Sequence, residues 1–280
     1  MIQLYAMDTF FYTTLGSYDL LARCQMLSEL GYSGTHLTVW STRAEDDISR
    51  LATIPSQHKL AVCGVYFMLD ILDANSAQHT INLIARIPIA TTIELAILAG
   101  GAHQHCSDAS LDAQCEAYVA QICAIATTHG HQVVLYPHIH FWLERVEDAV
   151  RICQRVNHPR LGIAFNAFHW YAIGGRDIRA TITLIQPYLS AVTICGTRML
   201  PAGHRLPASI ELIDEGELDL FHLLCELKRV GYAHPIGLQG FGIGGDVYNN
   251  LRRSRIAFNE LLQRVALRSH WAPIHPPEHV

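Results

Sequence analysis

The sequence predicts one α/β domain closed into a single (β/α)8 barrel of the TIM type, and three observations predict it. Short apolar runs and longer periodic stretches alternate eight times along the chain. The runs are too apolar to face water, as expected of parallel strands covered by helices. Two of them, Val133–His138 (VVLYPH) and Leu161–His169 (LGIAFNAFH), close on polar side chains, which is how barrel strands deliver groups to the mouth. An open doubly wound sheet is the competing fold, but no GxGxxG follows the first strand, where a dinucleotide site would put it.

Taken in order, the first strand spans Ile2–Met7, and Ser17 is expected to cap a helix ending at Leu30. Gly31-Tyr-Ser-Gly34 stops that helix and turns into the second strand, Thr35–Trp40, which a helix over Ala44–His58 follows. Strands three and four are Ala61–Leu69 and Thr91–Leu98, with a helix over Ala77–Arg86 between them. Ser107 or Asp108 starts a long helix to Thr128, and His129-Gly130 leads into strand five, Gln132–Pro137. The next helix covers Glu144–Val156; Pro159 forbids its continuation, and strand six is Leu161–Asn166. Asp177–Tyr188 is helical before strand seven, Ala191–Gly196, and Leu218–Val230 is helical before strand eight, Pro235–Gly240. A last helix runs from Asp246 to about Arg264, so residues 1–265 form one barrel domain and 266–280 a Pro- and His-rich tail. The longest irregular insert, Thr197–Glu217, is expected to hang over the barrel mouth as a lid.

At 280 residues, half of them hydrophobic, the chain can bury a large core and matches one barrel of roughly 250 residues. A net charge of −5 with 20 Lys and Arg offers no basic face for nucleic acid. No apolar run reaches the ~18 residues of a membrane span. The N-terminal stretch lacks the charged and apolar regions of a signal peptide, so a cytoplasmic address and no membrane partner are expected. Eight cysteines lie scattered without zinc-like spacing, which fits free thiols in a reducing compartment.

If the strand ends converge, the polar side chains they deliver are Asp8, His36, Asp70, Glu94, Tyr136, His138, Asn166, His169, Thr193, Cys195 and Gln239. His138 and His169 end successive strands, and two imidazoles in a partly buried pocket can exchange protons near neutral pH. Each also reads as a core histidine bonded to a carbonyl. Cys195 shares a strand face with Thr193 and could pair with a histidine as a nucleophile, although a buried structural thiol is the commoner outcome. The glycines of Gly240-Phe-Gly-Ile-Gly-Gly245 either cradle a phosphate or permit a tight turn before Asp246 caps the last helix.

The eight-unit layout, the GYSG turn, the LYPH ending strand five, the FNAFHW of strand six and the IGLQG of strand eight together resemble the xylose-isomerase-like barrel superfamily. That superfamily holds sugar and sugar-phosphate isomerases, epimerases and related endonuclease-fold proteins, and the resemblance covers Met1 to about Arg264. FNAFHW stands in the place of the family's D-x-x-H. Metal-bound members carry Glu, Asp, His and Glu at the ends of strands five to eight, where this sequence has Tyr136, Asn166, Thr193 and Gln239. A hard divalent cation wants anionic oxygens, so the resemblance implies a degenerate metal site and no cofactor. Mn or Zn held by other side chains, such as Glu94, His36 or Asp70, is the alternative.

With the family's proton-shuttling glutamates replaced, only imidazole titrates suitably, so His138 and His169 are the expected acid and base and Tyr136 or Asn166 the group that polarises the carbonyl. Asn166, Gln239, Thr193 and His36 are expected to bind substrate through hydrogen bonds, and Trp170, with Phe168, Phe141 and Trp142, by stacking. Phe141 and Trp142 read equally as packing under a helix. The expected function is proton transfer next to a carbonyl on a small-molecule sugar or sugar phosphate, by a protein compatible with a homo-oligomer. A non-catalytic carbohydrate-binding barrel and a metal-dependent isomerase or lyase with relocated ligands are the alternatives.

Overall fold

The computed structural model describes residues 2–273. Eight parallel strands close on themselves in chain order, as the sequence predicts. They are β1 (Leu4–Ala6), β2 (Gly34–Val39), β3 (Ala61–Asp70), β4 (Thr92–Leu98), β5 (Gln132–Leu135), β6 (Leu161–Asn166), β7 (Leu189–Ile194) and β8 (Ile236–Leu238). β1 seals the ring by lying between β8 and β2, with Leu4 opposite Ile236 and Tyr5 opposite Gly34. β2 and β6 are buried along their whole length, so neither face meets water; that accounts for the apolar run of β6, while β2 carries Thr35, His36 and Thr38 into the interior. Glycines within the strands make room for large neighbours in the interior. A Cβ on Gly237 would lie 2.4 Å from the Tyr5 ring, and one on Gly64 would lie 2.8 Å from the Glu94 carboxylate.

The outer layer is built from α1 (Leu20–Glu29), α2 (Thr42–Asp47), α3 (Ile54–His58), α4 (Ala74–Ala85), α5 (Asp112–His129), α6 (Val146–Val156), α7 (Ala167–Ala172), α8 (Ile178–Ile185), α9 (Leu220–Arg229) and α10 (Val247–Arg268). Asp19, Asp73, Asp177, Asp219 and Asp246 each accept a backbone N–H at a helix start, and such a cap contributes about 1 kcal/mol.

Four local expectations are corrected. Ser17 does not cap α1: Gly16–Ser17 pairs with Tyr12–Thr13 in a small antiparallel hairpin, and Asp19 is the cap. The expected helix over residues 44–58 is broken by a 3-10 stretch, Ile48–Thr53, ahead of Pro55, whose ring suits only the first turn of the new helix α3. FNAFHW turns directly from strand into α7. The last helix runs past 265 to Arg268 and a 3-10 turn, Ser269–Trp271, while residues 274–280 of the expected tail lie outside the described residues.

The insert after β7 folds back on itself through antiparallel bridges Gly196 to Glu211 and Met199 to Ala208. This arm leans over the barrel mouth, where Leu200, Leu206 and Ile210 line the cavity from above.

Candidate active site

Asn166 is the last residue of β6 and the cap of α7, and both jobs fix its amide. Its Oδ1 accepts the His169 backbone N–H at 2.9 Å, which turns Nδ2 toward the barrel axis. There Nδ2 lies 2.5 Å from Tyr136 Oη, 2.7 Å from Thr193 Oγ1 and 2.8 Å from Gln239 Oε1. An NH2 group carries two protons, and the Gln239 carbonyl can only accept, so one proton is committed there and the two hydroxyls share the other. All four residues are buried. The positions where the resemblance places metal ligands therefore converge, but on an amide nitrogen and its acceptors.

That arrangement does not fit a divalent cation. The four groups are neutral, and N–H protons occupy the point where a cation would need oxygen lone pairs. Among the described residues no group of three or more His, Cys, Asp or Glu is placed to hold a metal ion. Of the relocated ligands considered above, Asp70 accepts the backbone N–H groups of Leu72 and Gly100 through Oδ1 and does not line the mouth cavity.

Above this floor stand His138 and His169, their ring centroids 3.9 Å apart. His138 rests on Phe141 at 3.9 Å, and its Nδ1 lies 2.8 Å from the Ile139 carbonyl, which can only accept. The proton is thus on Nδ1, and Nε2 keeps its lone pair. Burial pushes the His138 pKa down to about 4. Burial also drives His169 well below the usual imidazole value, and the neighbouring His138 and His140 push the same way. His169 Nδ1 is buried without a hydrogen-bond partner. Both rings are accordingly neutral at pH 7. Burial, with the Glu94 charge, raises the Tyr136 phenol well above its ordinary range, so it too is neutral.

His36 lies deeper. Its ring is held between Glu94 Oε2 at 3.2 Å and Asp8 Oδ1 at 3.5 Å, and Asp8 also pairs with Arg23 at 3.1 Å. Burial alone would lower His36, but the Glu94 and Asp8 carboxylates outweigh it and raise the pKa to about 9. Asp8 in turn accepts from Thr38 Oγ1 at 2.6 Å, and Thr38 does line the cavity. The strand-end inventory is thus split between a neutral floor and a charged layer beneath it.

The cavity has a volume of 610 Å³ and takes in Tyr136, His138, His169, Phe168 and Gln239. Asn166 and Thr193 back its floor through the hydrogen bonds already described. Trp170 opens on a separate flank cavity of 490 Å³, and its indole N–H donates to Thr181 Oγ1 at 3.1 Å. Phe141 packs behind His138, and Trp142 is fully buried with its N–H on the Asp108 carbonyl. Cys195 packs among Ile139, Phe168, Ala172 and Ala208, and burial raises its thiol far from reactivity. The glycine-rich loop is a turn: Gly242, Gly244 and Gly245 have φ of 76°, 73° and 72°, and the Asp246 carboxylate already occupies the helix start. Thr9, Thr38, Trp40, Tyr66, Ile139 and Phe241 also line the cavity and were not singled out from sequence. Alternation along β2 and β3 was the signal available for Thr38 and Tyr66.

A family model described as xylose isomerase-like TIM barrel matches residues 24–257. No curated protein matches the sequence. Among solved structures, L-ribulose 3-epimerase superposes with a TM-score of 0.76 at 16% identity, covering 99% of this chain and 100% of that one. The probable 3-DHS dehydratase of petrobactin synthesis from Bacillus anthracis gives 0.69 at 15% identity, covering 92% and 99%. The 3-keto-D-glucoside 4-epimerase from E. coli gives 0.68 at 14% identity, covering 93% and 100%. At such identities the likeness is one of fold.

Proposed function

Since the chain belongs to the xylose isomerase-like TIM barrel family, we propose that its mouth cavity binds a sugar or sugar phosphate and moves a proton at the carbon beside the carbonyl, without a divalent metal. The observation that carries this reading is the His138–His169 pair, two neutral imidazoles with 3.9 Å between centroids on the cavity wall. Two imidazolium rings so close would repel, so the pair holds one proton at a time, as a step that removes a proton and returns it requires. An imidazole whose pKa burial lowers to about 4 strengthens as a base when an enolate begins to form beside it, because opposite charge favours its protonated form. Gln239 Oε1 is engaged by Asn166, which leaves the Gln239 NH2 to donate to the developing oxyanion alongside Tyr136.

The test is exchange of a carbon-bound substrate proton with solvent deuterium, followed by NMR over a panel of sugars and sugar phosphates. His169→Asn and His138→Gln are each expected to slow exchange by about 100-fold or more while ligand affinity stays within about threefold. Chelator treatment is expected to leave the wild-type rate unchanged. Variants that exchange normally per folded molecule would return both histidines to a packing role. A wild type that binds sugars and exchanges none would favour the second reading, a carbohydrate-binding barrel, which the self-satisfied amide cluster around Asn166 supports.

A further inference from the structure

The rim of the cavity differs in character from its floor. Tyr12 from the hairpin after β1, Trp40 just past β2 and Phe241 just past β8 form a chain of rings, with centroids 5.0 Å apart for Tyr12 and Trp40 and 6.0 Å apart for Trp40 and Phe241. Tyr12 is anchored from behind, since the Arg23 guanidinium lies 4.9 Å from its ring and its hydroxyl donates to Asp8 Oδ2 at 3.4 Å. Trp40 and Phe241 line the cavity, yet 39% and 47% of their surfaces face water. Across the cavity the lid arm presents Leu200, Leu206 and Ile210 interspersed with His204, Arg205 and Ser209, so the continuous apolar face of the rim is the one made by Trp40 and Phe241. A ligand that fills 610 Å³ of this kind has a polar end and an end with an apolar face.

We propose that the substrate has two rings: a carbonyl-bearing sugar on the floor and a second ring laid against Trp40 and Phe241. Aromatic side chains stack on the C–H face of a pyranose and on an aryl group alike, so the second ring is either another sugar or an aryl substituent. The inner half of this assignment rests on the proposed function; the outer half rests on the aromatic rim alone.

The experiment is titration calorimetry of the full chain with methyl and phenyl glycosides of glucose, galactose, mannose and xylose, and with cellobiose and phenol. For at least one sugar, the phenyl glycoside or the disaccharide is expected to bind about tenfold more tightly than the methyl glycoside. Trp40→Ala and, independently, Phe241→Ser are expected to remove most of that gain and leave the methyl glycoside within about twofold. A gain with the aryl probe alone assigns the rim to an aryl substituent, and a gain with cellobiose alone assigns it to a second sugar. The proposal is overturned if neither the phenyl glycosides nor cellobiose binds more tightly than the methyl glycosides, if no glycoside binds, or if both variants weaken the one-ring and two-ring ligands in parallel. Phenol binding as tightly as the phenyl glycosides would overturn it too. Failure of proton exchange leaves these affinities untouched, so the two readings fail separately.

Discussion

Asp8, Arg23, His36 and Glu94 bury two carboxylates, a guanidinium and an imidazole under the cavity floor. With His36 raised to about 9 by the two carboxylates, the layer carries two negative and two positive charges at pH 7 and needs no counter-charge from the floor above. Glu94→Gln leaves an excess positive charge in a dry interior, and it is expected to cost about 3–5 kcal/mol in urea unfolding at pH 7. The His36 NMR titration should move down in the same variant. A loss below about 1 kcal/mol would show that the four charges do not support one another. His36 also shows why depth is harder to read than direction. His36 and Thr38 share one face of β2, but two residues span about 6.6 Å along a strand, so Thr38 reaches the cavity while His36 stops beneath it.

α7 is the element on which fold and site meet. Asn166→Ala removes the cap and strands the Gln239 carbonyl, and thermal unfolding is expected to report a loss of about 2 kcal/mol. Asn166→Asp is expected to lose less, because a carboxylate still caps α7 and can accept from Tyr136, Thr193 and a turned Gln239 amide. Equal losses would mean that the amide cluster, and not the cap, sets the stability of this element. α7 was not legible in the sequence because it begins on the last residue of β6, with no turn residue between to announce it. The eight strands were legible for the opposite reason: each is an apolar run bounded by Gly, Pro, Asp or Asn. Of the site, His138, His169, Tyr136 and Gln239 were legible as polar residues ending such runs. Trp40 and Phe241 were not, since an aromatic residue beside a strand reads as core. Trp170 was misread on the same logic: it turns to the flank cavity, on whose wall Asn166 also lies, while His169 and the Asn166 amide nitrogen face inward.

For the molecule as a whole, buried histidines of opposite sign set a pH window. His131 and His138 have pKa values lowered to about 4, by burial above all, against about 6.5 in the unfolded chain. Their contribution is complete above pH 6.5 and is lost as pH falls toward 4. His36, raised to about 9, contributes fully below pH 6.5 and loses that contribution as pH rises through 9, by about 3 kcal/mol. Stability is therefore expected to peak near pH 6.5. Urea unfolding at pH 4.5, 6.5 and 9.5 checks it, and a steady rise to pH 9.5 would contradict the charge assigned to His36. A different consequence follows from the way β1 closes the ring against β8, with Tyr32 Oη donating to the Leu251 carbonyl and Tyr248 Oη to Glu29 across the same seam. A ribosome delivers Leu4–Ala6 first and Ile236–Leu238 more than two hundred residues later. At about 5–20 residues per second, the opening strand waits on the order of ten to fifty seconds for its partner. During that interval the nascent chain is an open arc with a bare strand edge. Any chain cut short before Ile236 keeps that edge, and its nearest available partner is another unfinished copy of itself.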